Sequence, residues 1–132
     1  MALEVMSETV MVARALGVKL EKIAGVDLEW LALTDTERRA SGSPSLVAKH
    51  SLLLAVGARY RRMRSSMLAA IERGRIPAVD FLNGEVVTHG ERLGIDTPVN
   101  REAQRMVHEL ALGRVRAGIG ALYELRDRVA AR

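Results

Sequence analysis

Proline and glycine punctuate this chain so as to leave room for little but helices. Three prolines occur in 132 residues, and each opens a stretch of helical periodicity: Ser43-Pro44, Pro77 and Thr97-Pro98. Proline at the first helical position gives up an amide that has no intrahelical partner there, and its ring presets a helical φ. Apolar residues then return at steps of three, four and seven until a glycine offers a stop. Leu46, Leu53, Val56, Tyr60, Met63, Met67 and Ala70 predict one long helix from Pro44 to about Gly74, with Gly57 as a bend. Val79, Leu82, Val86 and Leu93 predict the inner face of a helix from Pro77 to Gly94. Thr97 as cap and Pro98 as first residue predict a last long helix through Met106 and Leu110 towards Tyr123 and the C-terminus, weakened at Gly113, Gly118 and Gly120.

Ahead of Pro44, Leu3, Met6, Val10 and Ala13 form one stripe of an amphipathic helix from Met1 to Gly17. No Ser, Thr, Asp or Asn precedes it to cap its first amides, which suits a cut from a longer chain or a terminus frayed into water. Periodicity weakens from Val18 to Gly42. Thr34 or Asp35 caps a short helix over Glu37 to Ala40, and SGSPS makes a loop. No segment alternates like a strand, and none repeats. With four aromatic residues (Trp30, Tyr60, Phe81, Tyr123), the core must be aliphatic. The expectation is a single all-α domain, a multi-helix array over residues 1–132.

Other function classes fall away on composition. With no cysteine there is no disulfide, thiolate metal site or cysteine nucleophile. The longest apolar run, Leu52 to Ala58, is far short of the roughly 20 residues that span a bilayer. The opening MALEVMSE carries acids where a secretion signal carries lysines, so a cytoplasmic protein is expected. A net charge of +4 favours anionic partners.

Arg59, Arg62, Ser66 and Arg73 stand at steps of three, four and seven, which on one continuous helix gathers three guanidinium groups and a hydroxyl into one sector suited to a carboxylate or phosphate. A solvated helix face gives the same pattern. RYRRMR, Arg59 to Arg64, is basic enough for nucleic acid, but Tyr60 alone offers a stacking ring and lies on the apolar stripe, so no nucleic-acid partner is expected. His50, His89 and His108 lie on three separate helices without metal-ligand spacing, so no metal site is expected. GIGALY lacks the third glycine of a dinucleotide turn and follows a helix rather than a strand. Asp80 and Asn83, three apart, either face a ligand together or leave Asp80 to complement the positive end of its helix.

Residue chemistry stops there; resemblance goes further. SSMLAAIERGR, PAVDFLNGEVV and GERLGIDTPVN, between Ser65 and Asn100, closely resemble the C-terminal domain of the ketopantoate reductases, the 2-dehydropantoate 2-reductases. LEVMSETVMVARALGV fits the same domain loosely. The resemblance implies an all-helical domain, similar to the C-terminal domain of 6-phosphogluconate dehydrogenase, packed beside an N-terminal Rossmann domain with the active site between them. In that family NADPH gives a hydride to the 2-keto group of ketopantoate on the way to pantothenate. The second serine of the Ser-Ser-Met motif, here Ser66, binds substrate. The family's catalytic lysine and its companion asparagines precede the matched region, so no catalytic residue is expected in this chain.

Two departures stand inside the match: Met63 replaces an asparagine, and Ala78 replaces the glutamate of a Thr-Glu-Ile-Asp motif. Asp80 lies two residues along a helix from Ala78, about 200° around it, and does not substitute. The expected role is the substrate-side half of a reductase for ketopantoate or a related 2-keto acid. Ser66, with Ser65 beside it, would hold the substrate; Arg59 and Arg62 would supply positive field, and Asp80 and Asn83 further polar contacts. NADPH would be bound by the parent's nucleotide-binding domain and not by this chain alone. A homo-oligomer, such as a dimer, is expected, because a face built to dock a partner exposes apolar surface. The alternative is a stand-alone helical interaction or dimerisation module that has lost catalysis.

Overall fold

The computed structural model describes residues 1–23, 25–39, 42–63 and 65–131. Among these it is all-α, with one isolated bridge between Ile23 and Val26 in place of any sheet. The chain gathers into two compact units, residues 2–64 and residues 65–132 with Met1.

In the first unit, α1 (Ala2–Ala15) buries Leu3, Val10 and Val12, and Gly17 leaves it in the left-handed region, φ 71°. The Ser7 hydroxyl donates to the Leu3 carbonyl and accepts the Leu33 amide at 2.7 Å, tying α1 to the chain beyond α2 (Leu28–Leu31). Helix α2 has no counterpart in the periodicity; Asp27 starts it by accepting the amides of Glu29 and Trp30. For α3 (Asp35–Arg39) the cap is Thr34, in a reciprocal box. Its hydroxyl takes the Glu37 amide at 3.2 Å, and Glu37 takes the Thr34 amide at 2.9 Å. Ala40 and Ser41, where that helix and the SGSPS loop were expected to meet, lie outside the described residues. Ser43 and Pro44 open α4 (Pro44–Arg59) as expected, with the Ser43 hydroxyl accepting the Leu46 amide.

Buried Lys49 on α4 reaches back to the Ala32 carbonyl at 2.7 Å and Glu37 at 2.6 Å. Both charged side chains are almost wholly enclosed. The Lys49 bond, assisted by Thr34 and Ser45, lowers the Glu37 carboxyl to about 2. Removing one partner from such a pair strands the other charge, so the pair fixes how α3 meets α4.

The long helix expected to run on to Gly74 does not form. Helix α4 stops at Arg59, Tyr60 to Arg62 turn, and the Ser65 hydroxyl accepts the Leu68 amide to start α5 (Ser66–Glu72). Spacing alone cannot register this break, because apolar steps of three and four also fit two helices that happen to stay in phase. Gly74, φ 65°, ends α5 where expected.

In the second unit a 3₁₀ turn, Ala78–Phe81, takes the place of the first turn of the expected helix, and α6 (Asn83–Leu93) follows. Leu82, with φ −118° and ψ −87°, separates them. Val79 is fully buried, but Leu82 and Leu93 are exposed and Val87 takes the inner position instead. Gly94, φ 70°, caps α6. Helix α7 (Pro98–Ala111) begins at Pro98, yet the Thr97 side chain does not cap it. Gly113, φ 70°, breaks what was expected to be one continuous last helix, and α8 (Ile119–Ala130) resumes after Gly118. Arg132, at the expected helix end, lies outside the described residues. Helices α7 and α8 meet over Met106, Ala121 and Leu125. An ion-pair network beside that seam links Arg105 to Glu102 and Glu109, and Arg128 to Glu109 and Glu124.

Candidate functional site

Ser65 and Ser66 divide their work at the start of α5. Ser65 is spent as the cap, while Ser66, the first helical residue, is exposed. Arg59 closes α4 with its guanidinium 5.9 Å from the Tyr60 ring, and Arg62 follows in the turn; both are exposed. Because α4 and α5 are separate helices, the shared sector expected for Arg59, Arg62, Ser66 and Arg73 does not exist as a helical face. Arg73 is the C-cap of α5, and Arg64, inside RYRRMR, lies outside the described residues.

Asp80 and Asn83 turn together onto α7. One oxygen of Asp80 accepts from Gln104 Nε2 at 2.7 Å and from His108 Nε2 at 2.8 Å. A carboxylate oxygen can only accept, so His108 carries its proton on Nε2 in this arrangement. The bond from Gln104, then that from His108, lowers the Asp80 carboxyl below its ordinary range. Asn83 Nδ2 donates to Asn100 Oδ1 at 2.9 Å. The result is a polar seam, with residues 80 and 83 on one side and Asn100, Gln104 and His108 on the other.

Gly84 permits this close approach: a Cβ there would lie 2.8 Å from the Gln104 amide nitrogen. Gln104 and His108 also line an open depression of about 470 Å³ along α7, with Arg101 and Arg105 on its rim. Neither Ser66, Asp80 nor Asn83 lines it. Ala78 and Met63 are both exposed and bring no hydrogen-bonding side chain.

Sequence reasoning missed Asn100 and Gln104, and weighed His108 only as a metal ligand. Their signal was present: they recur every four residues, so they share a helix face. The Glu37 and Lys49 pair, 12 residues apart on different helices, had no such signal.

All of this describes an all-helical domain, unlike a nucleotide-binding α/β domain, whose polar groups line the start of α5 and the seam beside α7. The chain belongs to the ketopantoate reductase C-terminal domain family: the family model described as "Ketopantoate reductase PanE/ApbA C terminal" matches residues 1–111. A 2-dehydropantoate 2-reductase from Archaeoglobus fulgidus is 46% identical to it over 50 residues, 38% of this chain and 17% of that protein. The chain thus matches under a fifth of that relative's length. No solved structure matches the chain significantly.

Proposed function

We propose that this chain is the substrate-side helical domain of an NADPH-dependent reductase acting on 2-dehydropantoate or a related 2-keto acid, in pantothenate biosynthesis. The observation that carries the reading is Ser66. It falls in the family's Ser-Ser-Met motif, and the residue is exposed at the start of α5 while Ser65 takes over capping. Hydride transfer needs both reactants held in one geometry, so a domain bearing only the substrate wall does not turn over by itself. A nucleotide-binding domain supplies NADPH and the opposite wall. The polar seam from Asp80 to His108 then serves as scaffold, holding the turn after Pro77 against α7.

The test is NADPH oxidation with 2-dehydropantoate. The 132-residue chain alone should give no turnover. Joined to a nucleotide-binding domain it should turn over, and Ser66→Ala should raise KM up to about tenfold, the worth of one hydrogen bond. Turnover by the chain alone, or an unchanged KM in Ser66→Ala, sinks the proposal. Ala78 and Met63 favour a second reading, an interaction module without chemistry. A reading frame that continues upstream into a strand, a G-x-G-x-x-G turn and a helix decides for the reductase.

A further inference from the structure

We infer that the loop joining α7 to α8 forms a binding site for a phosphate dianion, gripped by the guanidinium groups of Arg114 and Arg116. The loop follows residue 111, where the family match ends, so the proposed reductase activity leaves it unexplained. Arg114, Arg116 and Arg128 line an open depression of about 630 Å³ together with Glu109 and Glu124. The two acids are already committed: Arg128 bonds both, and Arg105 also bonds Glu109. Among the described residues the guanidinium groups of Arg114 and Arg116 have no ion-pair or hydrogen-bond partner. The network of Arg105 and Arg128 with Glu102, Glu109 and Glu124 carries a net −1, so Arg114 and Arg116 bring the depression and its neighbours to a net +1, with both of these guanidinium forks still open.

Val115, between them, is partly buried and packs against Met106, Ala121 and Leu125. It pins the loop backbone to the core, which fixes where the exposed Arg114 and Arg116 side chains leave the chain beside the depression. The paired N–H groups of two open guanidinium forks match the several oxygens of a phosphate, whereas the two oxygens of a carboxylate fill one fork. Space is available as well, since a Cβ built on Gly120 at the depression meets nothing within 4 Å. The same chemistry recognises inorganic phosphate and the terminal group of a phosphomonoester.

The test is an NMR titration of the ¹⁵N-labelled 132-residue chain at fixed ionic strength, with inorganic phosphate, glycerol 3-phosphate and acetate in separate arms. Saturable shifts at the Arg114 and Arg116 Nε–H groups are expected with phosphate, and much weaker ones with acetate. Saturation by glycerol 3-phosphate as well assigns a phosphomonoester; saturation by inorganic phosphate alone assigns the free ion. Arg114→Gln with Arg116→Gln should weaken binding at least about tenfold, whereas Arg38→Gln with Arg39→Gln, an equal loss of charge in the other unit, should leave it within about twofold. If the first pair disturbs the spectrum globally, Arg114→Lys with Arg116→Lys decides, since it keeps charge but loses the fork and should bind more weakly than the parent. Non-saturating shifts, equal loss in both glutamine pairs, acetate as tight as phosphate, or undiminished binding in the lysine pair would overturn the inference.

Discussion

Replacing Thr97 with valine should stabilise this protein, although threonine stands at a helix start where it normally caps. Thr97 is 0% exposed, and its hydroxyl has no hydrogen-bond partner among the described residues. It lies against Gly90, where a Cβ would come within 2.9 Å of the threonine methyl and 2.8 Å of the Ile95 carbonyl oxygen. A buried hydroxyl without a partner costs about 1–3 kcal/mol, and valine removes that cost while keeping the branched shape. Against this stands some strain from a methyl slightly larger than the oxygen it replaces. The usual loss of about 1 kcal/mol for deleting a cap does not apply, because no capping bond is made.

The net expectation is a gain of about 1 kcal/mol, which at ordinary urea m-values moves the midpoint up by about 0.3–1 M with m unchanged. Thr97→Ser, which keeps the hydroxyl and deletes the methyl, should lose about 1 kcal/mol. Urea titrations followed by far-UV circular dichroism measure both. A Thr97→Val protein less stable than the parent would refute the reasoning, because it would mean the hydroxyl has a partner in solution.

Gly90→Ala should destabilise by about 1–3 kcal/mol, since the Ile95 carbonyl in its path is backbone and cannot rotate away; a lowered melting temperature reports it. Gly84→Ala should push the Gln104 amide off Asp80, seen as a rise in the Asp80 carboxyl pKa by NMR. The pH dependence follows from Glu37. Its folded carboxyl sits at about 2 against an ordinary 4.5, so its contribution is complete above pH 4.5 and is lost as pH falls from there towards 2. Urea midpoints measured across that window should drop for the parent, while Glu37→Gln, weaker at neutral pH, should show a shallower slope. Thr34→Ala should cost about 1 kcal/mol by opening the box that starts α3.

What the sequence alone determined was local. Ser43-Pro44, Thr34, Gly17, Gly74 and Gly94 act through their own dihedrals and nearest amides, so their starts and stops could be read without knowing what lay across the core. Tertiary structure decided the rest. Periodicity gives phase along a helix but not continuity, so the break between Arg59 and Ser66 was invisible, and with it went the shared arginine sector. The neighbours of Asp80 and Asn83 likewise depended on α7, whose Asn100, Gln104 and His108 bond them across the seam. Thr97, a cap by every local rule, is buried against Gly90 because packing between α6 and the start of α7 outweighs one hydrogen bond.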